Sequence, residues 1–168
     1  AGYTVKKGYI TTLGSFAVFP YENRQEPLKM RTKKERELLA FLLDAGREGA
    51  TKEQIYEALW YESESNDIKK LIGVNLAHLK KDLCALGIKN PILNQEKHYH
   101  INRDEIVADA DLFEEAVAEF KRQRNDESAQ KMITLYKGEY LSEFEAHWAT
   151  HKRIAYKAAY HEAVDFCV

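Results

Sequence analysis

The chain has 168 residues, 45% of them hydrophobic, which is enough for one large domain or two small ones with a real core and excludes a disordered segment. No apolar run approaches the length that crosses a bilayer, and the opening AGYTVKKGY lacks the apolar stretch of a secretion signal, so a cytoplasmic protein without membrane contact is expected. The formal net charge of −2 argues against a uniformly basic polyanion binder, yet it averages two unlike halves: residues 1–104 carry 17 Lys and Arg against 14 Asp and Glu, and residues 105–168 carry 8 against 13.

Gly8 to Phe19 (GYITTLGSFAVF) is rich in β-branched and aromatic residues and is interrupted at Gly14, which predicts two short strands or one bent one. Pro20 and the polar run Tyr21 to Glu26 signal a turn, and Pro27 to Met30 reads as a further strand of a small antiparallel sheet. Thr32 to Glu35 fits the T-x-x-E capping box, Leu38, Leu39 and Leu42 recur at helical spacing, and Gly46 is placed to stop the helix. Thr51 to Gln54 repeats that capping logic for a shorter helix carrying Ile55, Ala58, Leu59 and Trp60. The linker Tyr61 to Ser65 (YESES) is too long and acidic for a tight helix-to-helix turn.

Asn66 to Gly87 predicts a third helix of about 31 Å. Wound at 100° per residue, it puts Ile68, Ile72, Leu76, Leu79, Leu83 and Leu86 in one stripe. Lys70, Gly73, Val74, Ala77, Lys80 and Lys81 fall on or near the opposite side. Small residues flanked by lysines let a backbone approach a polyanion closely, but a solvated basic face fits this stretch equally well. The short extended runs Pro91 to Asn94 and His98 to Ile101 then read as a β-hairpin. Sheet, three helices and hairpin, in that order, make an α+β winged helix.

From Arg31 to Trp60 (RTKKERELLAFLLDAGREGATKEQIYEALW), with Leu13 to Val18 (LGSFAV), the IxxxLxxLKKDL pattern from Ile72 to Leu83 and Tyr99-His-Ile101, the chain resembles the OmpR-type winged helix. More narrowly, it resembles the version found in Streptomyces antibiotic regulatory proteins (SARP) and their relatives. Val107 to Phe113, Leu135 to Leu141, Trp148 and Arg153 are similar to the bacterial transcriptional activation domain that follows it, an all-α set of helix pairs like tetratricopeptide repeats (TPR). The residues themselves predict three helices there: one capped by Asp111 and running to about Arg122, one capped by Asp126 and running to Lys137, and one from Glu143 to Phe166. In the last, Trp148, Ile154, Tyr156, Tyr160, Val164 and Phe166 are spread too widely for one buried face, so a further neighbour is expected against it. The resulting organisation is a linker at 1–8, a winged helix at 9–104 and the start of the helical domain at 105–168. One departure from the family pattern is the hairpin tip, where Glu96-Lys-His98 replaces Gly-x-Gly.

The resemblance implies a DNA-binding transcription regulator, an activator, and the output part of a two-component system if a receiver domain stands in front. Its partners would be double-stranded DNA at direct repeats, a second protomer on that DNA, and RNA polymerase. With the third helix in a major groove, Lys70, Gly73, Val74 and Ala77 would face base edges, Val74 and Ala77 touching thymine methyls and Lys70 guanine acceptors. Lys69, Lys80, Lys81, the wing's Lys97 and Arg31, Lys33 and Lys34 at the first helix start would hold phosphates. The loop residues Glu62, Ser63 and Glu64 would contact RNA polymerase. The rival reading is a protein-interaction scaffold that uses the helical pairs and binds no specific DNA.

An enzyme is not expected. His147 and His151 have the spacing of a two-histidine metal face, but Trp-Ala-Thr stands where the HExxH motif needs its glutamate. His98 and His100 share a strand face and could grip a metal, yet a wing strand beside phosphates explains them with less, and no phosphate-cradling glycine loop or nucleophile triad occurs. Cys84 and Cys167 lie far apart without ligand-like companions, so neither a disulfide nor a metal or cofactor is expected. Trp60 and Trp148 read as core anchors.

Overall fold

The computed structural model describes residues 5–63 and 67–168. The first strands are β1 (Gly8–Thr11) and β2 (Ala17–Pro20), followed by α1 (Lys33–Asp44), α2 (Lys52–Leu59) and α3 (Ile68–Leu83). Strands β3 (Ile92–Gln95), β4 (His98–Ile101) and β5 (Ile106–Ala108) precede α4 (Asp109–Gln123), α5 (Asp126–Leu135) and α6 (Thr150–Cys167). It is a mixed α/β chain of helices and small sheets, whose described residues fall into two compact units, 5–8 with 19–106 and 9–18 with 107–168. The three-stranded sheet has the order β2-β1-β5, and β3 pairs with β4 in a second sheet.

That order corrects the expectation for Pro27 to Met30, which forms no strand. Its place in the sheet is taken by β5, where Ile106 and Ala108 are buried on alternate positions. Leu28 and Met30 stay half-buried, and Pro27 has no amide to give to a ladder.

In the first unit, Leu38, Leu39, Leu42, Leu43, Ile55, Leu59, Ile72, Leu76, Leu79, Leu83, Ile92 and Ile101 are buried around the three helices and the hairpin. The helix starts follow the threonines: Thr32 Oγ1 accepts from Glu35 N, and Thr51 makes a full capping box with Gln54. At α1 the box is incomplete, because the Glu35 carboxylate takes the amide of Arg31 at 3.0 Å. α3 has 16 residues, hence about 24 Å, and is shorter than the spacing predicts. The chain tightens into a 3-10 turn over Cys84–Leu86 and stops at Gly87, whose φ of 85° is left-handed.

The hairpin β3–β4 is tied to the α1–α2 connection. Ala50 and Tyr99 exchange both backbone hydrogen bonds, at 2.9 and 2.8 Å. Beside them Gly49 has a φ of 74°, and a Cβ there would stand 2.3 Å from Tyr99 O. Only glycine lets the two backbones meet at that point.

In the second unit, the expected cap Asp111 is not the start of α4, which begins two residues earlier at Asp109. Asp109 is buried and accepts from Thr12 N (2.8 Å), Thr12 Oγ1 (2.6 Å) and Leu13 N (3.0 Å), so it fastens the β1 end to the helix. Burial pushes its carboxyl up, and the hydrogen bonds from Thr12 and Leu13 work against that shift. α5 is capped by Asn125, whose side chain accepts from Ser128 N, and not by Asp126. α6 begins at Thr150, seven residues later than the spacing predicts from Glu143. The residues before it are irregular because their carbonyls have another partner: Arg153 donates to the carbonyls of Tyr140, Leu141, Phe144 and Ala146. Trp60 is buried as a core anchor, whereas Trp148 is half-buried.

The aromatic residues of α6 do find a face. Tyr156 packs edge-on against Phe113 and Tyr140, Tyr160 stacks on Tyr136 at 4.4 Å, and Phe166 meets Phe120 at 5.2 Å. Ile154 stays 67% exposed on the other side.

Candidate nucleic-acid interface

α3 buries Ile72, Leu76, Leu79 and Leu83 against the first unit's core. What remains outside is a stripe running from Lys70 through Gly73, Val74 and Ala77 to Lys80 and Lys81, about 16 Å long. Lys69, Lys70, Ala77, Lys80 and Lys81 are exposed, Gly73 is half-buried, and Val74 is 43% exposed. His78, one turn beyond Val74, is also exposed and was not among the residues that the sequence singled out. No carboxylate interrupts the exposed face between Lys69 and Lys81. Lys80 and Lys81 occupy the last turn, where the partial negative charge of the helix end favours a cation.

The acid that follows, Asp82, is turned to other work. Arg31 Nε pairs with Asp82 Oδ1 at 3.2 Å, while Glu35 Oε1 and Asp82 Oδ2 are buried without a hydrogen-bond partner. Glu35 is only 1% exposed, and burial, with the nearby Asp82 carboxyl adding to it, pushes its carboxyl up to about 7. Arg31 thus stands between the two acids, giving its backbone amide to Glu35 at 3.0 Å and its Nε to Asp82, and so joins the start of α1 to the end of α3.

The other phosphate candidates differ in availability. Lys33 is exposed at the start of α1. Lys34 is engaged: its Nζ donates to Leu59 O at 2.8 Å, pairs with Glu37 at 3.6 Å and lies over the Trp60 ring. Arg31 is part of the pair with Asp82. Lys97 is exposed at the hairpin tip, where Glu96 and Lys97 have φ of 52° and 67°. Two successive positive φ values between Gln95 and His98, which face each other in the register, are the pattern of a type I′ turn. The tip therefore forms without glycine, helped by His98 Nδ1 donating to Glu96 O at 3.0 Å.

In the α2–α3 connection Glu62 is exposed, and Ser63 N donates to Trp60 O at 2.9 Å; Glu64 lies outside the described residues. Between α2 and α3 lies a shallow groove of about 260 Å³, lined by Tyr56, Ile68 and Ile72 with Lys52, Glu53, Glu57 and Lys69. Lys52, the first residue of α2, is another cation that sequence spacing did not single out. Its Nζ lies 3.9 Å from the position a Cβ would take at Gly73. The two residues are 21 apart on separate helices, and no periodicity connects them.

Among the described residues, no cluster of three His, Cys, Asp or Glu could hold a metal ion, and no helix is long and apolar enough to cross a membrane. No family model matches the chain, and no curated protein matches it in sequence. Among solved structures, the fold is similar to that of EmbR from Mycobacterium tuberculosis, determined in complex with a low-affinity phosphopeptide, with a TM-score of 0.75. The two are 18% identical, and the match covers 94% of this chain and 44% of that one. The likeness is one of fold, and the chain spans less than half the length of that neighbour.

Proposed function

We propose that the chain is a sequence-specific DNA-binding regulator of transcription, with a winged helix followed by TPR-like helices. The observation that carries this reading is the outer face of α3: small residues and lysines over several turns, without a carboxylate, on a helix whose opposite stripe is fully buried. α3 enters the major groove. Lys70, Val74 and Ala77 meet base edges, and Gly73 permits close approach. Lys69, Lys80 and Lys81 hold phosphates, together with Lys33 and the wing's Lys97. The protein acts in the cytoplasm as an activator and the output of a two-component system, binds direct repeats as a homodimer, and performs no catalysis. Glu62 and Ser63, in the connection between α2 and α3, contact RNA polymerase. Titration against fragmented genomic DNA tests the reading: a subset of fragments is retained over random DNA, and equal retention of all fragments at every salt concentration refutes it.

A second reading, the protein-interaction scaffold, has one observation in its favour. A groove of about 570 Å³ between α4 and α5 is lined by Leu112, Ala116 and Leu135 and edged by Glu115, Glu119 and Glu127. Replacing Lys70, Lys80 and Lys81 by alanine separates the two, because DNA affinity unchanged by that variant favours the scaffold.

A further inference from the structure

Lys52 stands outside the face just described in sequence but beside it in space. It is the first residue of α2, after the capping residue Thr51, and is half-buried. Its ammonium reaches α3 at Gly73, in the middle of the exposed stripe. Among the described residues no carboxylate lies within ion-pair distance of it, in contrast to Lys34, which is held by Glu37 and the Leu59 carbonyl. A half-buried cation without an ion-pair partner among the described residues, reaching past the groove it shares with Glu53 and Glu57 to the α3 face, which has no acid from Lys69 to Lys81, adds to the field that a phosphate backbone meets there.

Gly73 explains how the ammonium comes to lie there. An alanine Cβ at 73 would make ordinary contact with Nζ at 3.9 Å, whereas a longer side chain would occupy the space that the lysine uses. A glycine inside a helix weakens it, so its presence in α3 asks for a local reason. We propose that Lys52 is a phosphate contact of the same DNA-binding surface, and that Gly73 is a positioning residue that keeps the α3 stripe open for it. This rests on the DNA-binding reading above and adds the first turn of α2 to the surface.

The test is the salt dependence of binding to short duplexes of random sequence, measured for the whole chain. Each phosphate contact contributes about 0.9 to the slope of log affinity against log salt. Lys52→Ala is expected to lower that slope by about 0.9 and to weaken binding about five- to tenfold, while Lys52→Arg retains both. Gly73→Gln is expected to weaken binding at least as much as Lys52→Ala, since it also fills the close approach of α3, to leave Lys52→Ala without further effect when the two are combined, and to raise the melting temperature, because glutamine is the better helix former. That rise separates lost contact from lost fold. A slope that Lys52→Ala leaves unchanged while Lys80→Ala lowers it overturns the assignment of Lys52 and leaves the DNA-binding reading standing. Fully additive losses from Gly73→Gln and Lys52→Ala overturn the positioning role. A wild-type chain that shows no salt-dependent binding overturns the reading itself and this inference with it.

Discussion

α3 and α6 are the longest helices of their units, at 16 and 18 residues, and they present opposite designs. α3 buries a continuous aliphatic stripe, and its exposed residues are lysines, His78, Val74 and Ala77, with no acid among them. α6 buries Tyr156 and Ala163, attaches through rings at Tyr156, Tyr160 and Phe166, and exposes Ile154, Lys157, His161, Glu162 and Asp165 in a mixture of apolar residues and both charges. A helix outer face carries functional information when it has a composition that burial does not demand. By that measure α3 has a message on its outside, and the chemistry of α6 lies on its inside.

The same contrast holds for two buried acids, one inside each unit. Asp109 has three donors within 3.0 Å, whereas Glu35 has one backbone donor and a second acid for a neighbour. Asp109→Ala would leave the Thr12 and Leu13 groups buried without an acceptor, and it should cost about 4 kcal/mol in urea unfolding. A loss under about 1 kcal/mol would mean that water replaces the carboxylate at no cost.

Glu35 predicts a pH dependence. Its folded pKa of about 7 lies above its ordinary 4.5, so between those values the folded chain holds a proton that the unfolded chain has released. The stabilisation is complete below pH 4.5 and is lost as pH rises through 7, by about 3 kcal/mol in all. Unfolding curves of wild type and Glu35→Gln across that window should diverge by this amount, the wild type alone losing stability toward pH 8. Parallel curves would show that the proton is not held at Glu35.

The comparison of the two helices can be broken through DNA affinity. Alanine at Lys70, Lys80 and Lys81 together should weaken DNA binding about 100-fold at moderate salt, with circular dichroism unchanged. Lys157→Ala, which removes an exposed lysine of α6, should change it less than about twofold. Equal effects at both places would show that net charge alone governs binding.

Much of the chain order is legible in the sequence because local chemistry decides it. Thr32 and Thr51 mark helix starts, Gly87 marks a stop, and the leucines of α1 and α3 keep helical spacing. What escapes is set by partners distant along the chain. β5 replaces Pro27–Met30 in the sheet, Asp109 begins α4 because Thr12 and Leu13 meet it, and Arg153 takes the Phe144 and Ala146 carbonyls, which a helix from Glu143 would have used. In the candidate site, the lysines of α3 are legible from one helical wheel. The engagement of Lys34, the effect of Asp82 on Glu35 and the approach of Lys52 to Gly73 are not, because each joins two helices.

Selection of bound duplexes from a random pool, at a salt concentration where about four to six phosphate contacts per protomer still hold, tests most directly whether α3 reads sequence. The account predicts a recurrent short motif in the retained DNA, lost when Lys70, Val74 and Ala77 are replaced together by serine in a chain that remains folded. A pool that stays random at every salt concentration would contradict it.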